Sequence, residues 1–367
     1  MPCQSKKELQ QFEQIPELLH STNPNFTPPF PGSVVKLIES TGAFVTQHGE
    51  ISPFIAVAHG KPVGRIAAII NRSHNTYNKD KVGFFGFFDC INDPHVAKAL
   101  FDTAAAVVQK KGMTSLRGPY NPSINDDCGL LTDGFHTPAF VSMPWNPSYY
   151  HALYGTAGLE SVRTLYSWMI PLQGETPPRV NKIVERLRKR AKVSIRSINM
   201  KNIEHEMAVL HRLYNATLDR NWGFYPISLE DLLHAATDLK AIADPSLILF
   251  ACADDREVAF SLSLPNVNEL FHATRHRKGL LRFLEMALRI QFQRPKDARL
   301  CVLGVDPEYQ NKGLSALLFY EAYIRTKARY QRSEVSWVEA NNIEILEGAE
   351  LMGGYKDKTY EIFERKI

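Results

Sequence analysis

The chain has 367 residues, more than one hydrophobic core usually supports, so two domains are expected. Apolar residues make up 44% of it and the formal charge is +4 with a pI near 8.6, a weakly basic balance that suits an anionic ligand and excludes a dedicated nucleic-acid binder. No apolar run is long enough to span a bilayer, the start Met1-Pro2-Cys3-Gln4-Ser5 carries no leader pattern, and Cys3, Cys90, Cys128, Cys252 and Cys301 show no Cys-x-x-Cys spacing. A cytoplasmic protein with reduced thiols, no membrane partner and no metal site is expected.

In chain order, an apolar strand over 54–58, a polar turn at His59-Gly60-Lys61-Pro62 and an apolar strand over 63–68 predict a hairpin. A strand over 82–90, a helix over 94–110 and a short strand over 115–117 follow. Two loops come next, Gly118-Pro119-Tyr120-Asn121-Pro122-Ser123-Ile124-Asn125-Asp126-Asp127-Cys128-Gly129 and Met143-Pro144-Trp145-Asn146-Pro147-Ser148-Tyr149-Tyr150. Loops of this composition either line clefts or form turns that cover a core, and both readings stay open. A strand over 161–170 closes the first half, and Gly174-Glu175-Thr176-Pro177-Pro178 breaks the chain. The expected division is a first domain over 1–172, a linker with a basic helix over 173–192, and a second domain over 193–367. The helix carries Arg179, Lys182, Arg186, Arg188, Lys189, Arg190 and Lys192. Val180, Ile183, Val184, Leu187 and Ala191 recur along it at helical spacing, which favours a docked helix with a solvated face over a nucleic-acid or membrane patch.

The second half reads as a strand over 193–198, helical segments within 203–243, strands over 247–253 and 257–264, and a strand over 298–305. A helix over 314–329, a strand over 334–338, a short helix near 342–352 and a final strand over 356–365 complete it. Its hairpin overlays the first without a gap, so that Ala56, Ala58 and Val63 fall on Ala251, Ala253 and Val258. Because the elements after each hairpin keep one order, two duplicated α+β halves are expected, each a mixed sheet flanked by helices. The halves differ where strand runs into helix. In the first, Asp89-Cys90-Ile91-Asn92-Asp93-Pro94 has no glycine and two carboxylates, which would repel a phosphate. In the second, Val305-Asp306-Pro307-Glu308-Tyr309-Gln310-Asn311-Lys312-Gly313-Leu314-Ser315 turns tightly into a helix whose first N–H groups suit an anion, with Gly313 and Ser315 letting the backbone approach a ligand.

The pattern Gln310-x-x-Gly313-x-Ser315 in that setting resembles the acetyl-coenzyme A loop of the GCN5-related N-acetyltransferases, with Ser315 where that family usually has Gly or Ala. The resemblance covers most of the chain through element order and is specific only around 305–318. It implies two tandem domains of the acyl-coenzyme A N-acyltransferase fold, the first degenerate and lacking the cofactor loop. It further implies an acyl-CoA-dependent N-acyltransferase, in the first instance an N-acetyltransferase, moving an acyl group from coenzyme A to a small-molecule amine or a peptide. Donor contacts would come from Val305, Gln310, Asn311, Lys312, Gly313, Leu314 and Ser315. In this fold the strands flanking the loop and its helix splay apart, and an Asn often begins the last helix. Asn341 and Asn342 stand at that place, and Asn342 is carried over as a donor contact, an ordinary N-cap being the plainer role for one of the two.

The family's acceptor loop falls on Asn221-Trp222-Gly223-Phe224-Tyr225, giving Asn221, Trp222 and Phe224 as substrate contacts. The family's acid, a Tyr shortly before a Gly-aromatic pair, is missing, because the pair is Gly354-Tyr355 and Glu350 stands where the Tyr is expected. Glu339, Tyr355 and Tyr360 remain as catalytic candidates, core packing being the other reading of the tyrosines. Two further functions stay open: a tandem transferase using a fatty-acyl or aminoacyl-tRNA donor, and a non-catalytic acyl-coenzyme A sensor.

Metal and hydrolase chemistry find little support. His272 and His276 are four apart but lack the intervening Glu of a zinc protease and a third ligand, so they read as surface histidines. No Gly-x-Ser-x-Gly elbow is present, and Asp126-Asp127 and Asp254-Asp255 are adjacent pairs whose side chains diverge.

Overall fold

A computed structural model describes residues 1–191, 193–239 and 242–367. Lys192, expected to end the basic helix, and residues 240–241 of the expected helical region lie outside the described residues. Contacts divide the chain into two units, the first holding Met1–Leu165, Leu270–Leu288 and Lys358–Ile367, the second Tyr166–Glu269 and Arg289–Asp357.

In chain order the elements begin with helices α1 (Lys6–His20), α2 (Ser33–Ile38) and α3 (Ala43–Gln47), then β1 (Gly49–Ala58), β2 (Lys61–Asn71), α4 (Arg72–Asn78), β3 (Val82–Cys90) and α5 (Pro94–Lys110). The strands β4 (Ser115–Gly118), β5 (Tyr120–Asn121), β6 (Asp127–Cys128) and β7 (Leu130–Asp133), helix α6 (Tyr150–Thr156) and β8 (Glu160–Pro171) follow. Next come α7 (Pro178–Ala191), β9 (Ser194–Ser197), α8 (Ile203–Leu218), α9 (Leu229–Leu239), β10 (Ile248–Ala253), β11 (Arg256–Pro265), α10 (Asn268–Ala273) and α11 (Gly279–Phe292). The chain ends with β12 (Asp297–Val305), α12 (Leu314–Lys327), β13 (Arg332–Glu339), α13 (Ile343–Leu351) and β14 (Tyr355–Lys366).

In the first unit β1, β2 and β3 are antiparallel neighbours, β3 pairs with β4 in parallel, and the end of β14 runs antiparallel to both β4 and β7. The helices α5 and α6 bury Phe101, Ala104, Val108, Tyr150 and Tyr154 against Ile66, Phe85, Phe88 and Phe363. In the second unit the order is β9, β10, β11, β12, β13, antiparallel except for the parallel pair of β12 and β13. Its larger core joins Val180 and Val184 of α7 to Leu314, Leu317 and Leu318 of α12 and to Leu249, Ala251 and Val335. The basic helix is therefore docked by its apolar stripe, with Arg179, Lys182, Arg186, Arg188 and Lys189 exposed.

The expected sequential division at 172 and 193 differs from this one. Lys358–Ile367 belongs to the first unit because its strand pairs with β4 and β7, and β8 passes from the first unit into the second between Leu165 and Tyr166. Alternation along a strand reports burial and leaves the choice of neighbour unspecified, so the pairing of the last strand was not readable from its own residues.

The duplicated hairpins match beyond the residues that suggested them. The register of β1 and β2 shifts between Ala56 and Val57, and that of β10 and β11 between Ala251 and Cys252, which are the overlaid positions. Both turns place two residues at positive φ, His59 and Gly60 in one and Asp254 and Asp255 in the other, the conformation that a tight hairpin turn requires.

Beyond the three residue pairs that link β3 to β4, the first unit fills its own gap. Asn121 Oδ1 accepts from the Phe87 N–H at 2.6 Å, and a Cβ at Gly86 would lie 1.6 Å from the Tyr120 carbonyl oxygen, so β5 lies directly on β3. Tyr149 donates to the Cys90 carbonyl at 2.7 Å, and the Cys90 N–H donates to the Tyr150 oxygen at 2.9 Å. The main chain at the end of β3 is thus occupied by side chains. Asp89 meets Arg65 Nε at 2.7 Å and His20 Nε2 at 3.3 Å. Burial of Asp89 disfavours its charge, but Arg65 and the bond from His20 outweigh that and hold the carboxyl below the usual range. Its folded pKa being depressed, the pair stabilises the chain above the unfolded carboxyl value of about 4, and that stability is lost as pH falls through the folded value. Asp89→Asn should cost about 3 kcal/mol at neutral pH, since it strands a buried guanidinium, and should flatten the acid limb of stability measured by denaturant unfolding from pH 7 to pH 3.

Candidate functional site

The strands β12 and β13 stay in register only from Asp297 with Arg332 to Leu300 with Val335. Beyond that point Arg299, buried, reaches across: its Nε donates to Ser336 Oγ at 2.9 Å and its Nη2 to the Ser336 carbonyl at 3.0 Å. Ser336 Oγ in turn donates to the buried Glu334. A carbonyl held by a guanidinium is unavailable to a neighbouring strand, so β13 leaves β12 here. No described residue of β13 is in register with 301–305, whose other side stays paired with β11. An open edge of this kind can take an extended segment by strand-like hydrogen bonds.

At the end of that edge Asp306 is buried between Arg256 Nη2 at 3.3 Å and Arg212 Nη1 at 3.7 Å, and its side chain accepts from the Glu308 N–H at 3.1 Å. The chain makes one short turn over Pro307–Tyr309, Gln310 Nε2 donates to the Val305 carbonyl at 3.3 Å, and Asn311 and Gly313 take φ of 60° and 79° before α12 begins. Among the described residues none accepts from the main-chain N–H of Asn311, Lys312, Gly313, Leu314 or Ser315. These amides stand at the start of a 14-residue helix, the arrangement that the anion cradle expected here would use. Lys312 Nζ lies 4.4 Å from the centre of the Tyr309 ring.

Two side chains border the cradle. A Cβ at Gly313 would lie 2.4 Å from Leu187 Cδ2, the end of a side chain that would have to shift, and the left-handed backbone at φ 79° favours glycine there in any case. Ser315 Oγ donates to Glu344 of α13, so the hydroxyl brings a carboxylate to the mouth of the helix.

The structure brings Trp222 and Glu339 together: the Trp222 N–H donates to Glu339 Oε1 at 3.2 Å. The loop expected to meet an acceptor is held by Asn215, whose amide brackets Ile227 with bonds of 3.0 Å each way, and by His211, which meets the Ile227 carbonyl at 2.8 Å. Asn221 is exposed and Trp222 half-buried, so both can meet a substrate. Phe224 cannot, being buried beside Tyr214 with ring centres 6.4 Å apart, and its assignment as a substrate contact is corrected to core packing. Asn342 is the N-cap residue of α13, but its side chain makes no cap bond and is exposed. Tyr355 is exposed at the start of β14. Tyr360 is fully buried in the first unit, opposite Leu131 of β7, and the catalytic role expected of it is corrected to packing. His276 lies beyond the end of α10, so it shares no helix face with His272, whose Nδ1 meets Thr27 Oγ1 at 3.0 Å. Burial pushes the Cys301 thiol up, which leaves β12 without a thiolate nucleophile.

An acyl-coenzyme A fits this site by two observations. The free amides lie at the end of an unpaired strand edge, where a diphosphate followed by an extended arm would need them. On the sheet face beside that edge, Thr217 Oγ1 is buried and, among the described residues, without a partner, and it lies 2.2 Å from where a Cβ at Gly304 would stand. Arg299, Glu334, Thr217 and Glu344 escaped the sequence reading because each acts through a strand or helix partner distant in sequence. The alternation of Arg299 and Glu334 within apolar strands was the one available signal.

Two substitutions test this geometry. Gly313→Ala should cost about 2 kcal/mol, and the loss should shrink in a Leu187→Ala background, as read by denaturant unfolding. Glu344→Gln removes a like charge from the cradle and should tighten coenzyme A binding roughly threefold in calorimetric titration.

No family model matches the chain. Protein YghO of Escherichia coli is 31% identical over 372 residues, covering 99% of this chain and 94% of its own length. The bacterial ceramide synthase of Caulobacter vibrioides is 29% identical over 377 residues, covering 100% of this chain and 97% of its own length. A tandem GNAT protein from the clavulanic acid biosynthesis pathway superposes with a TM-score of 0.58 at 11% identity over all of this chain and 97% of that one. A fungal multi-domain β-N-acetylglucosaminidase with a GCN5-related glucosamine N-acetyltransferase region superposes with a TM-score of 0.61 at 14% identity, over all of this chain and 38% of that protein. The chain thus spans well under half of that fungal protein. The splayed β12 and β13, the cradle before α12 and these superpositions establish a tandem GCN5-related N-acetyltransferase fold, and the full-length likeness to Protein YghO places the chain in that protein's family.

Proposed function

We propose that the chain is an acyl-coenzyme A-dependent N-acyltransferase whose chemistry resides in the second unit. The observation that carries this reading is the set of unpartnered amides at Asn311–Ser315, at the end of the open edge of β12. A bound acyl thioester supplies an already activated carbonyl, so the protein's task is positioning and proton handling. The main-chain N–H groups on the open edge polarise that carbonyl. Glu339 is the base. Its carboxylate, oriented by the Trp222 N–H, takes a proton from the acceptor ammonium, directly or through one water. The amine nitrogen then forms the C–N bond as the C–S bond breaks, and the second nitrogen proton passes to the departing thiolate, with Tyr355, exposed at the start of β14, as the phenol proposed to relay it.

The acceptor is a primary amine, and a long-chain amino alcohol is the favoured class. Support for that class comes from the relative named ceramide synthase, since a ceramide is a fatty amide of such an alcohol. The intact cradle favours coenzyme A over an aminoacyl-tRNA donor.

The test pairs acetyl- and palmitoyl-coenzyme A with a panel of small amines, peptides and long-chain amino alcohols, reading free thiol and amide product by mass spectrometry. Thiol release matched by amide is expected, with kcat lowered about 100-fold in Glu339→Gln and coenzyme A affinity unchanged. Tight donor binding without any amide product would instead identify a sensor.

A further inference from the structure

Helix α11 stands out because its largest apolar side chains are in water. Leu280, Leu281, Leu284, Leu288 and Phe292 are 72%, 68%, 50%, 57% and 74% exposed. Leu280, Leu284, Leu288 and Phe292 recur every fourth residue, so they form one row along the helix, and Leu281 lies beside it. The opposite face is anchored. Met286 is fully buried, and the buried Arg282 donates through Nη2 to the Pro28 carbonyl at 2.6 Å and through Nη1 to the Pro29 carbonyl at 3.2 Å. The helix is thus pinned through Arg282 and Met286 with its leucine row outward, the reverse of ordinary packing. A contiguous leucine face of this kind marks an interaction surface.

Cations flank both ends. Arg275, His276, Arg277 and Lys278 are exposed immediately before the helix, and Arg294 and Lys296 are exposed just after it, with Arg289 in its last turn. Arg277 is balanced by Glu285 at 3.2 Å, the carboxylate nearest the row. In a self-complementary contact between two copies, a helix basic at both ends would bring like charges together in either orientation. An anionic lipid surface meets the leucine row and both basic ends at once.

We propose that α11 docks the protein onto an anionic phospholipid bilayer, lying in the interface with Leu280, Leu281, Leu284, Leu288 and Phe292 among the acyl chains and the flanking cations at the headgroups. At 14 residues the helix is about 21 Å long and lies flat. Among the described residues no helix is long and apolar enough to cross a membrane. The expectation of no membrane contact rested on the lack of a spanning run, a criterion that an interfacial helix does not meet.

Flotation of the full chain with vesicles tests this without any acyl substrate. With phosphatidylcholine vesicles containing phosphatidylglycerol, the protein should float at least tenfold more than with phosphatidylcholine alone, and added salt should weaken binding. Leu284→Ser with Leu288→Ser should lower flotation at least tenfold while leaving the thermal melt unchanged, because both side chains are already in water. Arg275→Gln with Lys278→Gln should remove the preference for phosphatidylglycerol. A protein that stays in the aqueous fraction with both vesicle types overturns the proposal. So does a dimer in light scattering that the leucine substitutions dissociate while flotation is unaffected, which would assign the face to a second copy.

Discussion

The bonds from Arg299 to Ser336 are the constraint on which the second unit's site depends. Parallel strands separate only where the main-chain groups of both find other partners. Here the β13 carbonyl that would continue the ladder is taken by a buried guanidinium, and the Ser336 hydroxyl joins it to Glu334. The consequences run in both directions along the sheet. On β12 the edge over 301–305 stays open and ends in the turn that starts α12. On β13 the diverging chain carries Glu339 to the Trp222 N–H, tying the loop of Asn221–Tyr225 to the end of that strand. Buried charge is costly to leave unpaired, so the arrangement is self-consistent only with all three side chains present.

The first unit shows the other outcome of the same duplication. Its β3 and β4 also part after a few pairs, but β5 folds back onto β3 and Asn121 takes the Phe87 N–H. At the corresponding strand end, Tyr149 and Tyr150 hold both main-chain groups of Cys90, and Asp89 is neutralised by Arg65 from within. The polar groups that a ligand would satisfy are satisfied by the chain. The carboxylates that appeared in the sequence as repulsion toward a phosphate divide in the structure, Asp89 into a buried ion pair and Asp93 into the N-cap of α5.

The elements legible in the sequence were those whose signal is local. Alternation located the strands of both hairpins, and the overlay of Ala56 on Ala251 pointed to positions where the two share a bulge. The turn from Val305 to Ser315 was legible because glycine and a short polar run before an apolar helix have few conformations. Tyr360 and Phe224 were not, since a phenol or a ring in a motif reads the same whether it faces a cleft or a core. At Gly313 the left-handed turn was legible, whereas the packing of Leu187, 126 positions earlier in sequence, was not, because no local pattern reports such a neighbour. The helix α11 had no place in the family's element order, and an outward leucine row is identical in sequence to an inward one.

The cradle's two neighbours indicate how its affinity is set. Leu187 packs beside Gly313, whose backbone is left-handed, and so limits the rearrangement open to the turn; on the proposed reading this would reduce the ordering that an anion must impose on binding. Glu344 acts in the opposite sense. Hydrogen-bonded to Ser315, it offers the amides of the first helical turn a carboxylate nearby and places a negative charge where phosphates approach. A rigid cradle with a built-in competing charge binds its anion less tightly than a bare one and releases it faster. On the proposed transferase reading, in which a spent carrier is discharged after each turnover, faster release is the useful direction, since product departure often limits the cycle.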